Sequence, residues 1–533
     1  MSGRSAPGAD RSWSRFDDRW LLAGLLVLAG FLRLPHLATM GTWDADQGHD
    51  MLVLRTLVRD GVVPLLGPPT SIGDVHHGAW YYYLLAPAAA VTGGDSPLAV
   101  VLLIALAGIA AVGVVWWLAR AIGGPVAGAV AGLAMAVSAA AVDESTFIWN
   151  PNLIALSSAV ALSAAWQAWS GGDRRWWLVA AIGTAVTMQC HVLGVALLPI
   201  VAVPFLVDSR RRPLGAIPVG IIAVFVAAFL PLAVNELTSG FSELRAATDY
   251  LAGGRTDEET ALPIRFWIVG LRVISWPLTG LVTTGFAAAI VSGALVVAIV
   301  AWRWRAPDGR ERFAVRWLAL GLLWSIAFLT VAAPSLATVV RGLPNDHYHA
   351  FADPLVFVLV GLGGAALVRE VRSPAGWLTA GAGMAALLAW NVIHLPPAVH
   401  PDGGWPETQV AASQLDRMLS PSGANLDEGV SLVSLPDFKS PEALAYPLAR
   451  MGRPYRASLP DGSPVLGSVP SASAPFGLVV LCDQLFSEAI GRDCGGAAEG
   501  AVTPDAGGAL AGPLRIRLEV APGRWWSLYG PPD

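Results

Sequence analysis

The chain has 533 residues, of which 54% are hydrophobic and only 14% charged, and its mean hydropathy is +0.56. Soluble domains carry about 25% charged residues, so this deficit, together with long apolar runs, points to a polytopic membrane protein. A net charge of −5 with no basic block excludes nucleic acid as a partner, because nothing would neutralise a row of phosphates.

In chain order, residues 1–19 read as a cytoplasmic N-terminal segment carrying Arg4, Arg11, Arg15 and Arg19. The apolar run 20–37 follows. It lacks an A-x-A cleavage site, so it is expected to stay as a membrane anchor rather than be removed as a signal peptide. Arg33, near its end, is expected to snorkel to the outer interface. Residues 38–96 form a first outer loop. Further crossings are predicted at 97–118, 125–142, 153–169, 214–234, 281–302, 313–334, 350–368 and 377–394. The run 176–207 is too long for one crossing and splits into two, turning near residues 189–191. The total is eleven.

Positive charge tests that count, because Arg gathers in cytoplasmic loops. The clusters at Arg120, Arg174/Arg175, Arg210 to Arg212, Arg303 to Arg312 and Arg369/Arg372 all fall on one side under one condition. The stretch 80–91, about a dozen residues opening with WYYY, must not cross; its length and aromatic start suit an interfacial helix. Residues 20–395 then form an all-α polytopic membrane domain. Residues 396–533 form a small extracytoplasmic α/β domain, with strand-like runs VSLVSL, FGLVVLC, LRIRLEV and WWSLYG. Cys482 and Cys494 lie in that domain and either form a disulfide or remain free thiols; Cys190 sits in an apolar run.

The loop stretch GTWDADQGHDM places Asp44, Asp46, His49 and Asp50 within seven positions. Four readings stand for it. In the first, Asp44 or Asp46 N-caps the apolar-patterned segment that follows. Asp44, Asp46, His49 and Asp50 could hold a divalent cation, since Asp44-Ala45-Asp46 is formally a D-x-D. One carboxylate could act as a general base. Ion or proton transport is the fourth, and it is disfavoured because the spans are nearly free of Asp, Glu and Lys.

GTWDADQGHDM followed by HHGAWYYYLLAP resembles the membrane-embedded glycosyltransferases of the C fold type, which include the protein O-mannosyltransferases and the lipid A aminoarabinose transferases. The resemblance extends through STFIWNPN (145–152), MQCH (188–191), LPLAVNE (230–236) and DHYHAFADPL (346–355), and covers roughly residues 18 to 395. In that family the loop carries an acidic pair, often D-E, where this chain has Asp46-Gln47. A motif often written H-P-P-L-Y-Y corresponds here to His77-Gly78-Ala79-Trp80-Tyr81-Tyr82. The family also places juxtamembrane helices between its first two crossings, as charge parity requires here on separate grounds. The C-terminal domain carries no motif that ties it to a family.

The resemblance implies an inverting transfer of a sugar from a polyprenyl-phosphate donor to an acceptor hydroxyl on the outer face. The acceptor class, whether protein, lipid or envelope glycan, stays open. Such a leaving group departs as a stable anion, so one carboxylate base suffices where glycoside hydrolysis needs two. Asp46 is implied as the base, with Asp44 as the second choice. His76, His77, Arg341, His347, Tyr348 and His349 are implied to hold the donor phosphate, where cations would stabilise developing charge. Glu144, Asn150, Gln189, His191 and Glu236 are implied to line the sugar or acceptor pocket. Each has a plainer reading: His191 as a satisfied core residue, Asn150 as a turn and cap, Glu236 as a helix cap, and the HYH run as an interfacial belt. No cofactor is expected. The expected partners are the lipid-linked donor and membrane lipids. A flippase or transporter of envelope precursors is the alternative function, and a membrane scaffold presenting the C-terminal domain is a third.

Overall fold

The structure is a computed structural model that describes residues 15–70, 75–252, 260–280, 285–338, 346–371, 374–419, 429–436, 439–459, 462–469, 477–491, 493–495 and 512–530. A helical bundle forms the body, and a mixed sheet with two flanking helices sits on one of its ends. Seven described helices are long and apolar enough to cross a membrane: Pro97–Gly123, Val192–Ser209, Ile217–Ser239, Phe286–Arg303, Gly309–Ala332, Asp346–Glu370 and Pro374–Ile393. Pro125–Val137 and Trp176–Cys190 are apolar but shorter. The protein is a multi-pass membrane protein. The helix Asp346–Glu370 is the most enclosed of the spans, whereas Ile217–Ser239 and Pro374–Ile393 are almost wholly exposed and would meet lipid. Small residues allow the close packing: a Cβ at Gly361 would run into the Ala127 carbonyl, so the helices there touch through backbone.

The long run 176–207 does divide as its length requires. Helix Trp176–Cys190 stops at His191, a 3-10 turn covers Val192–Ala196, and helix Leu197–Ser209 continues. The run 125–142 is also broken, since Ser138 ends Pro125–Val137 and its hydroxyl caps the short helix Ala139–Asp143.

The predicted arginine clusters meet at one end of the bundle. Arg120 pairs with Asp18, and Arg212 with Asp208 at 2.8 Å. Arg303 bridges Glu311 at 2.8 Å and also Glu370, while Arg369 reaches Glu311 at 2.9 Å. Arg211 and Arg310 cover the rings of Trp169 and Trp166, and Trp117 meets Trp176 at 5.5 Å. These contacts tie together the ends of eight helices in a charged, aromatic-lined plate.

The other end carries the first loop. Arg33 is wholly buried there, which corrects the expectation that it snorkels to an interface. Its guanidinium donates to the Ala136 carbonyl at 2.9 Å, the Met135 carbonyl at 3.3 Å and the Ser145 hydroxyl at 3.3 Å. The break at Ser138 leaves those helix-end carbonyls without intrahelical partners, and the arginine supplies the donors. Helix Trp80–Val91 lies at this same end, flanked by Asp95, which binds Arg55 and Arg59 of the first loop. Twelve residues make a helix of about 18 Å, too short for a 30 Å hydrocarbon core.

Helix Leu262–Thr279 was not foreseen from the sequence. It runs across this end of the bundle: Arg265 binds the Thr330 carbonyl, Arg272 the Leu336 and Thr338 carbonyls, and Trp276 the Glu144 carboxylate. The carbonyls of Leu278 and Thr279 then take donors from Asn391 and Trp390. Its signals were present, with Pro263 just inside the start and Gly280 just past the end.

The C-terminal region forms a five-stranded sheet in the order Tyr455–Arg456, Val430–Leu435, Gly477–Asp483, Arg524–Tyr529, Leu514–Ala521. The first three strands are parallel and the last two antiparallel. All four strand-like runs read from the sequence are strands. Pro522 and Gly523 (φ 79°) make the tight turn of the final hairpin, the positive φ being open to glycine without strain. Cys482 and Cys494 are joined in a disulfide; Cys190 is free and buried.

Helix Glu442–Met451 of this region docks on the loop helix Ala45–Asp60. Gly48 makes the contact possible, since a Cβ there would run into the Glu442 carbonyl. His49 Nδ1 pairs with Glu442 at 2.8 Å, Trp43 Nε1 donates to the Ala443 carbonyl at 3.0 Å, and Tyr446 donates to the Gly94 carbonyl at 3.0 Å. Burial opposes charge on His49, but Glu442 overrides it and the imidazole is pushed up to about 9. A raised folded value means that the stabilisation is complete below the ordinary value of 6.5 and fades as pH rises through 9. Glu442→Gln should therefore cost about 1.5–3 kcal/mol near pH 7 and almost nothing more by pH 10. Thermal unfolding of the detergent-solubilised protein at the two pH values measures this. Gly48→Ala should loosen the docking at every pH, seen as faster proteolysis of the C-terminal region.

Candidate active site

The loop helix begins at Asp44, which adopts extended backbone (φ −140°, ψ −165°) and accepts the Ala45 N–H at 2.8 Å. Gln47 completes a capping box: its side-chain oxygen accepts the Asp44 N–H at 2.8 Å. The Gln47 amide also donates to the Ile148 carbonyl at 2.9 Å in a buried setting. The amide at this position, where the resembling family often has an acid, is thus a donor as well as an acceptor. A carboxylate could not make the second bond.

The four ionisable groups of the loop have separate fates. Asp44 is the cap and also pairs with Lys439 at 2.6 Å and Arg524 at 3.2 Å. Those cations and the backbone bond outweigh burial and hold its carboxyl below the usual range. His49 is taken by Glu442. Asp50 is buried and accepts from Tyr81 at 2.7 Å and Tyr82 at 2.9 Å; burial pushes it up to about 7. Asp46 remains. It is exposed, lies in the first turn of the helix, and makes no hydrogen bond among the described residues. The surrounding protein mass raises its carboxyl above the ordinary range; Lys439 and His49 oppose that, and Asp44 and Glu442 add to it. Among the described residues no group of three or more metal-ligating side chains converges.

Beyond Gln47, the chain of contacts leads to an aromatic and imidazole cluster. Ile148, held by Gln47, precedes Trp149, whose ring lies 4.2 Å from that of His347. His347 meets Tyr348 at 4.4 Å and His191 at 5.6 Å, and His191 meets His77 at 4.6 Å. Nδ1 of His77 accepts the Val192 N–H at 3.3 Å, leaving Nε2 to carry the proton. Burial, with His191 and His76 nearby, holds His77 well below its usual range. Nδ1 of His77 is thus already used by the chain as an acceptor, and burial works against a positive charge on the ring.

The other expected residues are distributed more widely. His76 stands outside the cluster, bound to Glu243 through both its backbone N–H (2.7 Å) and Nδ1 (2.9 Å). His349 is buried between Asp346 (3.2 Å) and Asp353 (3.3 Å), and Asp346 in turn takes both Nε and Nη2 of Arg272. It serves a buried charge network rather than the aromatic and imidazole cluster. Glu144 receives the Trp276 indole N–H at 2.9 Å. Asn150 donates to the Cys190 carbonyl at 2.5 Å, and His191 caps the 3-10 turn after it by accepting from Leu193. The Gln189 side chain packs against Gly78 and faces the Trp80 N–H. Glu236 accepts the N–H groups of Glu243 and Leu244, the plain capping role. Arg341 lies outside the described residues. Lys439 and Arg524, both in the C-terminal region, were missed by sequence reasoning. No local pattern marks them, because their partner Asp44 is hundreds of positions away.

Residues 76–234 match the family model described as dolichyl-phosphate-mannose-protein mannosyltransferase. The matched span holds His76, His77, Glu144, Asn150, Gln189 and His191. Among solved structures the chain is similar to ArnT from Cupriavidus metallidurans in the apo state, at 15% identity and a TM-score of 0.51, covering 96% of this chain and 97% of that one. The same protein bound to undecaprenyl phosphate gives 14% identity, a TM-score of 0.50 and the same coverage. The archaeal oligosaccharyltransferase AglB from Archaeoglobus fulgidus, in complex with an inhibitory peptide and a dolichol-phosphate, gives 15% and 0.51 over 89% of this chain and 70% of that one. A search of curated protein sequences returns no match. The fold is that of the membrane glycosyltransferases of the C type. Since the ArnT likeness covers 96% of the chain, it takes in the C-terminal region too, for which the sequence alone suggested no relative.

Gln47→Glu, which restores the acid common in the resembling family, should destabilise the loop. It leaves the buried Ile148 carbonyl without its donor, a loss of about 1–3 kcal/mol. Thermal unfolding reads the loss, and Gln47→Ala should cost a comparable amount through the broken cap.

Proposed function

We propose that the protein is an integral membrane glycosyltransferase that moves a sugar from a polyprenyl-phosphate carrier to an acceptor hydroxyl at the outer membrane face, with inversion. The observation that carries this reading is the Asp46 carboxylate. Of the four ionisable groups in GTWDADQGHDM it alone has no side-chain partner among the described residues, and it stands on a helix whose first turn is fixed by a capping box and two cations. A general base must be open to substrate, held in place and not already spent on a protein donor. The fold, the matched family model and the undecaprenyl phosphate bound to the similar ArnT support the donor class.

In this reading Asp46 takes the proton of the attacking hydroxyl as it meets the anomeric carbon, and the prenyl phosphate leaves from the opposite side. His77 and His191, whose Nδ1 atoms accept backbone N–H groups, would turn Nε2–H donors toward that phosphate, and His347 and Tyr348 pack against His191 in the same cluster. Donors fixed before the reaction stabilise developing charge without reorganising. The disulfide supports an outer, oxidising location for the C-terminal region, and the arginine plate supports a cytoplasmic opposite end.

Asp46→Asn should reduce transfer by at least about 10²-fold, the lower range for a lost general base. The assay is membranes supplied with a panel of radiolabelled polyprenyl-phosphate hexoses and pentoses, with expression checked in parallel. Retained activity ends the assignment. Because the Asp46 carboxyl is raised, the rate should increase with pH through a value above the ordinary aspartate range, the base being active only when ionised. Transfer should withstand EDTA, since Asp44, His49 and Asp50 are already engaged by protein groups; loss restored by a divalent ion would instead favour a metal-dependent site.

A further inference from the structure

Lysine occurs once in this chain, at position 439, while every other basic side chain apart from histidine is arginine. That single ammonium comes from the segment between strand Val430–Leu435 and the docked helix Glu442–Met451, and it reaches Asp44 Oδ2 at 2.6 Å. It also lies 5.1 Å over the Phe486 ring. With Trp43, Asp44, Ser440, Arg524 and Trp526 it lines a narrow cleft where the C-terminal region meets the first loop.

Asp44 does not need this lysine in order to stay in place. Its carboxylate already accepts a backbone N–H, and Arg524 grips it from a guanidinium that also binds Asp402 at 3.1 Å and Asp483 at 2.9 Å. Arg524 is the rigid clamp; its fork is filled by three carboxylates. Lys439 is a second cation on the same oxygen, a compact charge on a flexible stem where the rest of the chain uses planar guanidinium. The nearest unpaired acid is Asp46, two residues on. Asp46 stands in the first turn of the helix that Asp44 caps, so an ammonium on Asp44 Oδ2 sits beside that turn; Lys439 and His49 are the cations that act on Asp46, and His49 is paired with Glu442. In the other direction, Lys439 feels Asp46 after Asp44.

We propose that Lys439 is a positioning residue for the Asp46 carboxylate, so that the extramembrane domain forms part of the reaction centre. The proposal rests on Asp46 being the working carboxylate. Seated on the capping carboxylate, the ammonium presents its charge to the first helical turn, which carries Asp46. Helix Glu442–Met451, locked to the loop helix through Gly48 and His49 and to the later part of the loop through Tyr446, fixes the backbone from which Lys439 reaches.

The single lysine makes the test site-specific. In the first arm, the folded protein is treated at pH 8 with an amine-acylating reagent, and the rate at Lys439 is read by peptide mass spectrometry. Asp46→Asn should speed acylation about three- to tenfold, since loss of a coupled carboxylate lowers the ammonium pKa by about half to one unit. An unchanged rate in Asp46→Asn, with Asp44→Asn accelerating as a control, overturns the proposal. In the second arm, folded wild-type protein is either acetylated, which removes the charge, or reductively dimethylated, which keeps it. Identical treatment of Lys439→Arg controls for the N-terminal amine. Acetylation should cut turnover about tenfold or more and move the acid limb of the pH profile upward, whereas dimethylation should leave both near the untreated values. Full turnover with an unmoved limb after acetylation overturns the proposal. Normal transfer by Asp46→Asn would sink the base assignment instead, and the labelling arm, which needs no substrate, still reads the coupling.

Discussion

The carboxylate of Asp44 is the pin on which the site turns. It closes the first turn of the loop helix from within and is gripped from outside by Lys439 and Arg524. A helix N-terminus exposes unsatisfied N–H groups and a partial positive charge, so an aspartate cap there is favourable on both counts. Here the cap also meets two cations from a region far along the chain. The outcome is a loop helix whose beginning cannot drift, and whose next acid, Asp46, is left open in a fixed position.

The two ends of the bundle use charge in opposite ways. At the arginine plate, cations and acids neutralise one another across helix ends, as Arg303 does with Glu311 and Glu370, and the purpose is cohesion. At the site end the same kinds of pairs, His49 with Glu442 and Arg272 with Asp346, surround groups that are left less committed. Arg33, at the second end, also serves cohesion, but without an acid partner. It repairs the open carbonyls of a broken helix, a role that neither its charge nor its distance from the interface would suggest.

Much of this was legible in the sequence because it depends on local composition. Seven of the apolar spans, the short helix at Trp80–Val91, the split at residue 191 and the four C-terminal strands follow from length, periodicity and composition. The site was legible only in part. Asp46 and the imidazole cluster could be listed from motifs, but not which of them would be free. That outcome was decided by Lys439, Arg524, Glu442, Tyr81 and Tyr82, whose reach to the loop is a tertiary fact. His349 shows the same limit, since its burial between Asp346 and Asp353 separates it from its neighbour His347. The helix Leu262–Thr279 escaped because its arginines, buried against carbonyls and Asp346, read as loop charge until their partners are known.

The tight turn at Pro522 and Gly523 has a temporal consequence. It delivers Arg524 to Asp44, 480 residues earlier in the chain. The first loop leaves the ribosome long before that hairpin exists, so during synthesis its carboxylates wait without their guanidinium clamp. Assembly of the bundle and completion of the loop are thereby separated in time, and a nascent chain inserted in the membrane lacks its finished loop until the final hairpin has paired.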